Sequence, residues 1–247
     1  MVCSSGIGFD ARPLRDGTRE SERRFFGFHG IWQGTAVLYD RKTQSRWLHL
    51  TGECIDGDYD GATLTPIAGR HVEWREWVRD HPDTKVMQPI EADKKLYFGG
   101  GGARRGSRFW PEGFLPTIES RDPRLLPTAL CYGVVVDEHA KAYPFSRLKR
   151  DPDGLVLDQV GDVPIVVVYD RDPGSAVAYD RRLGKLTLEF ERTESGDLRE
   201  VESGSVFNRA GVCVEGLHET RRLKPLFALQ AEWYGWFAAY PHTAVWR

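Results

Sequence analysis

Long apolar runs are missing from this chain of 247 residues: no stretch approaches eighteen consecutive apolar residues, so no membrane-spanning helix is expected. Cysteine is scarce. Four are spread over positions 3, 54, 131 and 213, too sparse for a disulfide framework, and no CxxC pair supplies a structural zinc site. The N-terminus lacks the basic-then-apolar pattern of a signal peptide, and a soluble protein of the reducing cytoplasm is expected. Charge of one sign is not in excess either. A net charge of −2 gives no electrostatic reason to expect nucleic acid or an anionic membrane as partner. Serine-hydrolase elbow, zinc-protease pair and dinucleotide fingerprint are all lacking, so no motif dictates a reaction.

What is present is a repeat and a core. Apolar residues make up 40%, with eight Trp and twelve Phe, the composition of a folded globular chain. Residues 54–86 recur as 213–245 without a gap. The shift pairs Cys54 with Cys213, Gly57 with Gly216, Leu64 with Leu223, Pro66 with Pro225 and Glu73 with Glu232. It also pairs Trp74 with Trp233, Trp77 with Trp236, Pro82 with Pro241, Thr84 with Thr243 and Val86 with Val245. Identities at tryptophan, proline, glycine and cysteine point to duplication of one unit.

Short β-branched or aromatic segments at 24–28, 35–39 and 46–50, separated by glycine or polar turns, predict an antiparallel meander. The period then changes. Trp74, Trp77, Val78 and His81 fall at i, i+3, i+4 and i+7, one face of a short helix that Pro82 must end. The second copy predicts strands near 186–190, 205–209 and 212–214, then a helix over about 226–240 with Leu229, Trp233, Trp236, Phe237 and Tyr240 on its apolar face. Between the copies, residues 88–128 hold the run Gly99, Gly100, Gly101, Gly102 and many prolines, which read as a linker or an embracing loop.

These segments predict an α+β fold: two related units, each a twisted antiparallel sheet covered by a short Trp-rich helix, about a pseudo-twofold axis. The boundaries expected are 1–87 for the first unit, 88–128 for the Gly/Pro-rich connection and 129–247 for the second unit. Only the second holds a valine-rich leader, near 132–144 and 163–169, so the first is expected to lack its leading strands.

Several segments carry a resemblance. They are Gly133-Val134-Val135-Val136 with Ala140-Lys141-Ala142-Tyr143-Pro144, and Val166-Val167-Val168-Tyr169 leading to Gly174-Ser175-Ala176-Val177-Ala178-Tyr179-Asp180. Leu38-Tyr39-Asp40-Arg41-Lys42-Thr43 through Trp47, Leu50-Thr51-Gly52-Glu53, and Trp77 with His81-Pro82-Asp83-Thr84 add to them, as does the segment holding Asp122, Arg124, Leu125 and Pro127. Over nearly its whole length the chain resembles the domain of unknown function 3179 family. The resemblance implies a Cys-Pro-Leu-Cys-Gly-like stretch before the Tyr179-Asp180 pair and a His after the Ala-Tyr-Pro motif. Here Asp170 and Pro173 stand at the cysteine positions and Asp151 at the histidine position, while Cys3 matches the second cysteine of the first unit.

Cys3 precedes the small-residue turn Ser4-Ser5-Gly6, where backbone amides would depress a thiol pKa and make a nucleophile. His29 and His49, in or beside strands of the same unit, are the candidate partners for a Cys/His or metal site. Asp56, Asp58 and Asp60 followed by Gly61 match the opening of a calcium loop, although its twelfth position is Ile67 rather than Glu. Gly99 to Gly102 with Arg104 and Arg105 read first as a linker and second as an anion cradle. Cys54, Cys131 and Cys213 read as core residues. The expected function is a non-catalytic protein that binds a small molecule or metal, between the units or under the glycine-rich connection. The alternative is an enzyme using Cys3 with His29 or His49; no sequence pattern specifies a cofactor.

Overall fold

The structure is a computed structural model that describes residues 6–86, 88, 90–91, 118–172 and 174–247. Its centre is the strand Val163–Asp170, whose sequence is apolar on both faces. Because successive side chains point to opposite sides of a strand, Val163, Ile165, Val167 and Tyr169 enter one core while Val166 and Val168 enter another. The strand is therefore a wall shared by two cores. It pairs antiparallel with Leu155–Val160 on one side and Ser175–Asp180 on the other, and Lys224–Pro225 closes that sheet.

A second four-stranded sheet runs in the order Phe227–Glu232, Leu130–Val136, His139–Pro144, Ala244–Val245. Tyr132, Val134 and Val136 face the first core. Cys131 and Gly133 lie on the opposite face, where the helix Trp233–Ala239 packs and where Trp233 and Trp236 are buried. In the N-terminal half, Phe26–Trp32, Thr35–Asp40, Arg46–Leu48 and Cys54–Asp56 form an antiparallel meander. Beside it Gly8–Arg15 pairs with Thr18–Arg19 and Thr63–Ile67. A matching meander, Phe190–Arg192, Leu198–Glu200, Val206–Phe207 and Cys213–Glu215, holds Phe190, Leu198 and Phe207 in the core that Val166 and Val168 enter.

The α+β expectation is overturned: among the described residues, six sheets are accompanied by three short helices, Trp74–Asp80, Phe145–Leu148 and Trp233–Ala239. Seven helical residues span only about 10 Å, too short to cover a sheet. The helix expected over 226–240 begins at Trp233, because Phe227–Glu232 is taken up as a strand by the ladder to Leu130–Val136. Tertiary pairing overrides the local helical period there. Nor are the two short helices used alike. Trp236 is fully buried, whereas Trp74 and Trp77 are 58% and 39% exposed.

What recurs along the chain is local geometry. Gly57 and Gly216 have φ of +95° and +97°. Trp77 and Trp236 donate from Nε1 to Thr84 and Thr243 Oγ1 at 2.8 and 2.9 Å. Asp40 Oδ1 accepts from the Thr43 amide at 2.7 Å, and Glu200 Oε2 accepts from the Ser203 amide at 2.6 Å. Asp10 and Asp180 each form a forked ion pair with the arginine two residues on, Arg12 and Arg182, both at 2.6 Å. No helix among the described residues is long and apolar enough to cross a membrane.

Candidate functional site

Cys3 lies outside the described residues, as do Gly99 to Gly102, Arg104 and Arg105. His29 is exposed at an irregularity in the pairing of Phe26–Trp32 with Thr35–Asp40. His49 follows Arg46–Leu48 and its amide bonds the Ala36 carbonyl at 3.0 Å. Thr35–Asp40 runs between the two histidines, which separates their backbones by two strand spacings, about 10 Å. Asp56, Asp58 and Asp60 are all exposed, with Asp56 turned to Arg46 at 3.3 Å and the Asp58 carbonyl accepting from Arg15. Among the described residues no group of three or more His, Cys, Asp or Glu side chains is placed to hold a metal ion.

Another part of the molecule brings functional groups together. A cleft of about 970 Å³ opens between the segment 68–81 and the strands and turns of residues 177–226. Strand alternation puts Val177 and Tyr179 on one face of Ser175–Asp180, at the cleft floor. Trp77 supplies an aromatic wall, its ring 4.1 Å from that of His81. Arg70, Arg79, Arg209 and Arg222 also line the cleft, against the single carboxylate of Asp197 among the described residues.

Arg209 is the hub. It sits in a tight turn after Val206–Phe207, where Asn208 Oδ1 accepts from the Ala210 and Val212 amides, each at 3.0 Å. Its carbonyl accepts from Tyr179 Oη at 2.7 Å and from Arg70 Nη1 at 3.0 Å. The backbone of residue 209 thus ties the floor of the cleft to its opposite wall. Burial pushes the Tyr179 hydroxyl up, and the positive charge and hydrogen bond of Arg70 offset only part of that shift, so Tyr179 stays a donor.

Arg209's guanidinium has a different role from its backbone. Nη1 lies 3.6 Å from Asp170 Oδ2, an ion pair beyond hydrogen-bond reach. Asp170 is already engaged by Arg192, which also donates to the Tyr169 and Asp153 carbonyls at 2.6 and 3.0 Å. Two guanidinium groups therefore share one carboxylate, and a positive charge is left over. The arrangement can bind and orient a ligand through its arginines and the Trp77 face, with the Tyr179 hydroxyl holding the Arg209 turn in place.

Asp170, at the position of a cysteine in the resemblance, lies beside this cleft in a side hollow that also holds Arg70, His71 and Arg209. Asp151, at the histidine position, instead closes a turn by accepting from the Asp153 and Leu155 amides at 3.1 and 3.2 Å. Pro173 is outside the described residues. Neither Arg70 nor Arg209 was legible as a site residue, because they meet across 139 positions of sequence and belong to no motif. No curated protein and no solved structure matches the chain. The model of the family described as Protein of unknown function (DUF3179) matches residues 1–243, and the chain belongs to that family.

Proposed function

We propose that this protein binds a small molecule in the cleft between 68–81 and 177–226, without catalysing its conversion. The observation that carries the reading is the cleft itself. At about 970 Å³ it is of the size that encloses small ligands, and it combines an apolar floor with a few convergent polar groups. In this reading residues 1–87 and 129–247 act as two units that each contribute one wall, and 88–128 connects them. Cys3 takes no part.

Val177→Trp tests the reading, because it places an indole on the cleft floor while leaving the arginines in place. A small-molecule mixture of cellular metabolites is expected to raise the melting temperature of the wild-type chain and not that of the variant. An equal rise in both proteins contradicts the assignment.

A further inference from the structure

The charge inventory of the cleft says what kind of molecule it takes. Several of the described arginines are spent on internal pairs: Arg12 on Asp10, Arg182 on Asp180, Arg124 on Asp122, Arg192 on Asp170 and two carbonyls. Arg209 lines the cleft and is held less tightly than these, its ion pair being the long one to Asp170, which Arg192 already engages. Its side chain is 35% exposed, and among the described residues its guanidinium makes no hydrogen bond, only the ion pair to Asp170 at 3.6 Å. The turn that carries it is held by Asn208 Oδ1 and by backbone carbonyl contacts, so the fold does not need the guanidinium to place the chain. A guanidinium held in a cavity by its backbone, with one long ion pair and no hydrogen bond of its own, retains forked donors for an oxyanion.

We propose that the ligand of the cleft is a small anion bearing carboxylate or phosphate groups, held by Arg209 together with Arg222. The proposal rests on the cleft reading above and names its ligand class. Four arginines line the cleft with Asp197, and Asp170 beside it is shared between Arg209 and Arg192, so the formal charge around the cleft is positive although the whole chain carries −2. The positive charge is thus concentrated at one place rather than inherited from composition. Asp197 itself accepts from Ser195 Oγ at 3.0 Å, which occupies one of its oxygens. Trp77 and Val177 line the same space, giving the carbon skeleton of such an anion an apolar contact.

The test is calorimetric titration of the full chain with pyrophosphate and, separately, with citrate, at fixed ionic strength. Arg209→Gln, Arg222→Ala and Val177→Trp are compared with Arg221→Ala, an exposed neighbour outside the cleft lining, and each variant's fold is checked by near-ultraviolet circular dichroism. Saturable binding of one of the two anions is expected, and the arm that binds tells phosphate from carboxylate. Arg209→Gln and Arg222→Ala should each weaken it about tenfold or more, since each removes a charge-assisted contact, while Arg221→Ala leaves it unchanged. Should Arg209→Gln fail to fold, the exposed Arg222 carries the comparison. Binding of neither anion, or binding indifferent to Arg209 and Arg222, overturns the proposal. A neutral metabolite whose binding is blocked by Val177→Trp would then keep the cleft reading while the anion class falls. If Val177→Trp blocks no ligand at all, the cleft reading itself falls.

Discussion

Trp236 packs so closely over Gly133 that a β-carbon built on the glycine would lie 2.1 Å from the indole ring. Strand Leu130–Val136 and helix Trp233–Ala239 meet there without an intervening side chain, and the indole closes the contact with a 2.9 Å bond to Thr243. Gly133→Ala is therefore expected to cost about 3 kcal/mol by overpacking, and Trp236→Ala about 3–5 kcal/mol by leaving a cavity. Trp77, with the same bond to Thr84 but 39% exposed, should cost far less when changed to Ala, about 1 kcal/mol. Urea denaturation of the three variants checks the ranking.

A second comparison concerns Gly57 and Gly216. Both have φ near +95°, and a β-carbon on either would meet the Cα of Ser45 or Ser205 at 2.8 Å. Conformation and space both exclude a side chain. Gly57→Ala and Gly216→Ala should each destabilise by more than about 1 kcal/mol, and loss of stability in only one of them would contradict the shared geometry.

Acid stability follows from Asp40, Asp180 and Glu200. Burial raises each carboxyl, but hydrogen bonds outweigh it: from the Thr43 hydroxyl and amide for Asp40, from Arg182 for Asp180, and from Ser203 for Glu200. All three are held below their ordinary values. A carboxylate depressed by folding contributes stability that is present above its unfolded pKa and lost as pH falls through the folded one. The melting temperature should hold down to about pH 5 and decline below about pH 4. Asp180→Asn should lower it at neutral pH and flatten the decline; a parallel decline in the variant would show that Asp180 does not contribute to it.

Thiol chemistry gives a further check. Cys54, Cys131 and Cys213 are buried, and burial pushes the Cys131 thiol up to about 12 and raises Cys54 as well. In a Cys3→Ser chain, Ellman's reagent at pH 8 should label none of the three within minutes and all three in urea. Rapid labelling of the folded chain would contradict this packing.

The strands of the first meander were legible because their alternation and turn glycines are local signals, and the helix Trp74–Asp80 because Pro82 stops it and Trp74, Trp77 and Val78 mark its face. The strand Phe227–Glu232 was not legible, since Leu229 also fits the helical stripe that continues through Trp233, and only the ladder to Leu130–Val136 decides between them. Local spacing likewise drew attention to Asp56, Asp58 and Asp60, whereas a metal site needs convergence in space. The cleft is the converse case. Arg70 and Arg209 acquire meaning only when the Arg209 carbonyl receives both Arg70 and Tyr179.

The most direct test of ligand binding in the cleft is the indole ¹H–¹⁵N spectrum during titration with pyrophosphate or citrate. Trp77 lines the cleft, whereas Trp47, Trp233 and Trp236 are buried elsewhere. A saturable shift of the Trp77 signal, with those of the three buried indoles unmoved, is the result expected. A Trp77 signal that stays in place at saturating anion would contradict the account.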